Sequence, residues 1–266
     1  MSRWPDWRCL GSALALLLLP AATPSSLGQQ NGNESAHPHF ALELPSSPEF
    51  FRAAARVAKP RWRQLYRATP RLPRRERNHS AFVLGTLLCE TLIASEARDA
   101  QYIRNSTQDI RDCLTLLGLA DALDQRLPAI HEFAARQNWP ALRFEIEALE
   151  AAFERRLEKQ MDAQLAPLIS LGHQLRCLDI CACIALESGQ PIGLDDPDYY
   201  AALSRQIDAI TPAEQTFPLA SDIAMELRNL QTLWSDTDEE TNTSERIAVT
   251  ARNIRGLLDR IIGAER

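Results

Sequence analysis

PLISLGHQLRCLDICACIALES, residues 167–188, is apolar for far longer than a strand of about four to eight residues, and it holds Arg176 and Asp179 inside the run. Its apolar side chains cover too wide an arc for a surface helix, which predicts a central helix enclosed by others. Ala81 to about Ile103 has the same character. The two stretches align at an offset of 87 residues: Val83, Leu84, Gly85 and Leu88 fall on Ser170, Leu171, Gly172 and Leu175, and Ile93 falls on Ile180. A glycine early in each helix lets another backbone approach closely. Two readings of the offset stand, internal duplication of a helical unit and chance likeness between leucine-rich helices.

Working outward, Leu142, Ile146, Leu149, Phe153 and Leu157 recur every three or four residues, with charged residues on the other faces. That spacing predicts an amphipathic helix. Further helices are expected over 106–117, 120–137, 197–210, 213–235 and 243–262. Ser47-Pro48-Glu49, Asp196-Pro197 and Thr211-Pro212 with Glu214 read as helix starts, each with a capping side chain before a proline. No stretch shows strand alternation, and ten glycines among 266 residues argue against phosphate-cradling loops. The expected fold is all-α, an elongated helical bundle, with duplication of a helical unit as one of the two readings of its origin.

The N-terminal region reads differently. Arg3 and Arg8 precede an apolar run from Leu10 to Leu19, followed by Pro20 and small residues, the layout of an export signal over residues 1–28. The run is shorter than the roughly 20 residues of a membrane span. Residues 29–46 are polar and aperiodic and read as a linker, leaving 47–266 as a single all-helical domain with no transmembrane span after cleavage. Only two lysines, Lys59 and Lys159, stand among 29 basic residues, a bias that suggests a GC-rich bacterial source and hence the periplasm or cell envelope. A net charge of −6 disfavours nucleic acid as a partner.

Three segments carry a resemblance: Leu84-Gly85 through Ala97-Arg98-Asp99-Ala100, His131-Glu132-Phe133-Ala134 through Trp139-Pro140-Ala141-Leu142-Arg143, and Ser170-Leu171-Gly172 through Leu175-Arg176. Together they resemble an uncharacterised family of exported, all-helical bacterial proteins. The chain departs from that pattern at Pro140, where the family often carries Asp, and at His173 and Gln174, where it has Gly and Trp. The resemblance implies export and a helical fold and supplies no activity, cofactor or site residue.

Motifs that carry chemistry are sparse in this chain. The sequence has no nucleophile elbow, paired His-Glu-x-x-His, Walker loop or dinucleotide fingerprint. Glu76-x-x-His79 matches half of a di-iron motif, without the second copy such a site needs. Glu90 and Asp179 interrupt apolar runs, and Arg176 stands one turn before Asp179, placed to hold it ionised. Between Arg52 and Arg77 ten basic residues face the single acid Glu76. Within this segment Arg61, Arg63, Arg67, Arg71, Arg74 and Arg75, with Trp62 and Tyr66, are candidates for binding an anionic envelope polymer or lipid. The competing reading is that Trp62, Leu65 and Tyr66 form the core face of a helix whose arginines dock on the protein's own acidic helices.

The cysteines give the sharpest pattern. His173, Cys177 and Cys181 repeat every four residues and form a stripe suited to zinc or copper, given a fourth ligand from another helix. Of six cysteines, Cys9 leaves with the signal and five remain. A disulfide or buried thiols are the competing readings, with Cys89 to Cys177 the natural bridge and Cys113 the alternative partner. The expected function is that of an exported, non-enzymatic structural or interaction component of the envelope, its partner an envelope protein or anionic polymer. A metal- or thiol-binding bundle is the second reading and an anionic-surface binder the third.

Overall fold

A computed structural model describes residues 47–68, 76–159, 164–210, 220–236 and 242–263. The export signal, the linker, Arg71, Arg74, Arg75 and the Thr211-Pro212 helix start lie outside these residues. The described residues form ten α-helices and one short 3₁₀ turn, with no strand among them. In chain order these are α1 (Ser47–Val57), the 3₁₀ turn (Trp62–Leu65), α2 (Arg77–Glu96), α3 (Ala100–Leu117), α4 (Ala120–Asp124), α5 (Leu127–Ala135) and α6 (Trp139–Lys159). They continue with α7 (Leu165–Ser188), α8 (Pro197–Ile210), α9 (Ala220–Ser235) and α10 (Thr243–Gly263).

Local chemistry sets the boundaries. The long helix expected over 81–103 stops at Glu96, and the one expected from 106 begins at Ala100. Arg98 turns the chain with φ of 53°, and the Asp99 carboxylate then accepts from the Tyr102 amide at 3.0 Å, capping α3. The single helix expected over 120–137 is two, because the chain breaks at Gln125 and Arg126 and restarts at Leu127 with Pro128 in its first turn. Asp196 caps α8 as its sequence predicts, accepting from the Asp198 amide at 3.0 Å. Gly118 and Gly189, both left-handed, end α3 and α7.

All ten helices contribute to one hydrophobic core. At its centre α2 packs directly on α7. Every residue of α2 from His79 to Ser95 is buried, and α7 is buried around most of its circumference. The other helices pack about this pair: α3 and α6 on α2, α1, α8 and α10 on α7, and α9 on α8. Helix α7 is long and apolar enough to cross a membrane, but it is enclosed by its neighbours.

The two glycines make the central crossing. A Cβ on Gly85 would lie 1.9 Å from the carbonyl oxygen of Ile169, and one on Gly172 would lie 2.0 Å from that of Phe82. Neither backbone can yield to such a contact, so only glycine permits this separation. The contact is reciprocal, since Phe82 and Ile169 stand at the same 87-residue offset as the glycines themselves. The close approach expected of both glycines is thus the feature that brings the polar residues of α2 and α7 face to face.

Candidate metal centre

Just beyond the glycine crossing, Cys89 of α2 meets Cys177 of α7, with the sulfurs 3.2 Å apart. His173 lies one turn before Cys177 on α7. Ligand atoms of Cys89, His173 and Cys177 all fall within 4.8 Å of one another, and both cysteines are wholly buried. His173 Nδ1 lies 3.0 Å from Glu150 Oε1, a carboxylate brought in by α6. The ring also hydrogen-bonds Cys177. The chain therefore assembles a thiol pair, an imidazole and a carboxylate from three helices.

The electrostatics of this group are coupled. Burial alone would drive His173 toward neutrality, but the Glu150 charge beside it overrides burial and raises its pKa well above the ordinary value. For Glu150, burial pushes the carboxyl up and the His173 charge pulls it down, and the charge prevails. Burial first, then the contact with Cys177, raises the Cys89 thiol, while the Arg176 guanidinium pulls it the other way. In the absence of an ion burial therefore favours the neutral thiol at Cys89. Two sulfurs bound to one ion at about 2.3 Å and a tetrahedral angle stand about 3.8 Å apart, so a small opening of this pair admits a metal. A closing to about 2.05 Å makes a disulfide.

Cys181, the third member of the expected stripe, is buried but is not part of this group. Each four-residue step on a helix advances about 40° around the axis, and eight residues climb about 12 Å. Cys181 has thus drifted around α7 and risen away from His173, toward Tyr200. Cys89 replaces it. Cys113 is buried on α3, and the Cys183 sulfur lies 4.0 Å from Asp179 and in contact with Arg255. Glu76 and His79 join no metal-ligand group among the described residues.

No protein family, curated protein or solved structure matches the chain. Its chemistry is therefore read from these residues alone.

Across the same crossing lies a second polar group. Arg176, 1% exposed, donates from Nε to Glu90 Oε1 at 2.6 Å, from Nη1 to Asp179 at 2.5 Å and from Nη2 to the carbonyl of Leu65. The Tyr102 hydroxyl adds a hydrogen bond to Glu90 at 3.2 Å. Burial raises the Glu90 carboxyl and Arg176 opposes that rise. Asp179 also receives Arg67 at 3.2 Å and Arg255 at 3.4 Å. A buried carboxylate pair is tolerable here because every charge has a partner of opposite sign.

The basic segment joins this second group. Arg61 pairs with Glu187, Arg63 with Asp99, and Arg67 with Asp179 and Asp259. Trp62 packs edge-on against Phe51 at 5.6 Å, and Tyr66 stacks on Tyr102 at 3.9 Å. Trp62, Leu65 and Tyr66 all pack against the core, although the element that carries them is a single 3₁₀ turn and not a longer helix. A small cavity remains between this strap and the bundle, lined by Arg67, Thr86, Glu90, Arg176 and Ile262, with room for about one water.

One residue of the candidate site, Glu150, is not singled out by sequence. Glu150 sits in an ordinary charged face of α6, with nothing local to mark it as the partner of His173. Cys89 is singled out by sequence, but as the disulfide partner of Cys177. The signal for a shared ligand set was its level in the 87-residue offset.

Proposed function

We propose that the protein is an exported, non-enzymatic helical bundle that holds one soft metal ion between its two central helices. The observation that supports this reading best is the convergence of Cys89, His173 and Cys177 within 4.8 Å, with Glu150 on the imidazole. Thiolate and imidazole donors suit zinc and copper, and a carboxylate on the far nitrogen of a ligating histidine fixes its tautomer and orientation. The complete burial of both sulfurs favours storage or structure over catalysis, because a substrate has no surface from which to reach them. Export rests on residues 1–28, and the likeness to exported helical proteins rests on the three segments that carry it.

A structural or interaction role in the envelope is the second reading. It is favoured by the enclosed ion-pair network, which fastens α2, α7, α10 and the basic strap together without a ligand. The anionic-surface reading draws less support, since Arg61, Arg63 and Arg67 face acids of their own chain.

Metal analysis after anaerobic purification from the natural source tests the proposal. About one equivalent of zinc or copper per chain is expected, falling to background in Cys177→Ser. Metal-free protein with a Cys89–Cys177 disulfide in peptide mapping would replace the metal reading with the structural one.

A further inference from the structure

Among the described residues the donor set at the α2–α7 crossing has three members, and the number decides which ion it suits. Cys89, His173 and Cys177 supply two sulfurs and one nitrogen, while the nearest carboxylate, Glu150, is engaged with the imidazole. Cys181 is carried away by the helical drift described above. Zinc in structural sites takes four protein ligands, and with three it keeps a water in the fourth position. That water would need two or more polar partners of its own, and here it would sit against two wholly buried sulfurs, with Glu150 already engaged by His173. Copper(I) is soft, prefers thiolates, and is satisfied by two or three donors.

Resting on the metal-binding reading above, we infer that this site selects copper(I) over zinc(II), with Cys89, Cys177 and His173 as ligands and Glu150 as the positioning residue for His173. On binding, both S–H bonds break and two S–Cu bonds form. The thiol protons leave to solvent, and copper enters and stays as copper(I), so no electron is transferred. His173 keeps the proton it shares with Glu150 and gives copper the lone pair of its other nitrogen, releasing any proton held there. Zinc would neutralise the two thiolates more fully. Among the described residues no fourth protein donor supplies the coordination that zinc takes in structural sites.

The test is an anaerobic titration of the reduced full chain with copper(I) in competition with a chromophoric copper(I) chelator, alongside zinc(II) with a zinc indicator. One copper(I) per chain should resist the chelator and give thiolate-to-copper absorption in the near ultraviolet, while zinc is lost on desalting. Cys89→Ser and Cys177→Ser should each abolish that absorption. Glu150→Gln should weaken copper binding about 10- to 100-fold with the absorption retained. Cys181→Ser should bind as the parent does, with helicity checked by circular dichroism for each variant. Retention of one zinc and not copper would overturn the choice of ion and leave the metal-binding reading standing. Retention of neither by the reduced, folded chain would overturn both. Equal loss of copper in Cys181→Ser would overturn the ligand set.

Discussion

The crossing of α2 and α7 has a thiol side and an ionic side, and the two are related by the same offset that relates the helices. Cys89 and Cys177 face each other on one side and Arg176 and Glu90 on the other. Moving each residue by 87 positions carries Cys89 onto Arg176 and Glu90 onto Cys177, and Thr86 onto His173. Equivalent positions on one backbone scaffold thus hold opposite chemistries. The ionic side is closed by partners from every direction: Arg67 from the strap, Arg255 from α10 and Tyr102 from α3. Among the described residues the thiol side gathers a histidine and a carboxylate, with Tyr199 beside Cys177, and its two sulfurs are apolar enough to be buried without an ion. The lesson is that burial forces completion on the charged side and leaves the thiol side free to take a ligand.

Breaking the ionic side should have the largest effect. Arg176→Met leaves Glu90 and Asp179 in the interior without their shared partner, and a loss of about 3–5 kcal/mol is expected in urea denaturation. A change below 1 kcal/mol would mean that the network is solvated in solution and that the contrast between the two sides is wrong.

The crossing itself is the next target, because both sides depend on it. Gly172→Ala puts a methyl into the Phe82 carbonyl and should cost about 3 kcal/mol, at the upper end of overpacking effects. Gly256→Ala, in α10 where a Cβ meets nothing within 4 Å, should stabilise by about 0.5–1 kcal/mol instead. Equal effects at the two glycines would refute the close approach.

Metal sharpens the comparison from the thiol side. At a free copper(I) concentration about 100 times its Kd, unfolding should be opposed by about 2.7 kcal/mol more than in the metal-free chain, and Cys177→Ser should not respond. Without metal, Cys89→Ala should cost only about 1 kcal/mol, the loss of one small buried side chain, measured under reducing conditions. A loss as large as that of Arg176→Met would show that the thiol side is a structural latch in its own right.

The smallest effect is expected at the outer end of the strap. Arg61 and Glu187 are 66% and 51% exposed, so Arg61→Ala should change stability by about 0.5 kcal/mol or less and respond to added salt. Retention of the wild-type chain on anionic vesicles at physiological salt, lost in this variant, would restore the basic segment as a binding surface.

Residue patterns along the chain were enough to specify the all-helical class, the enclosed nature of α2 and α7, the α8 cap at Asp196 and the need for glycine at 85 and 172. The helical class and the cap depend on neighbours within one or two turns, where helical period and capping chemistry act, whereas the glycines are legible as residue types and their partners are not. The break at Arg98 was missed because a left-handed arginine has no local signature. The pairing of Arg176 with Asp179 was legible from their spacing, but that of Arg176 with Glu90 was not. Cys181 was grouped with His173 because a four-residue repeat looks straight in sequence, although on a helix it winds around the axis. Which residues of α2 stand opposite which residues of α7, and that α6 brings Glu150 to His173, was decided by the tertiary structure alone. The level of contact between two helices is set by where their backbones can approach most closely, and here two glycines more than eighty residues apart fix that point together.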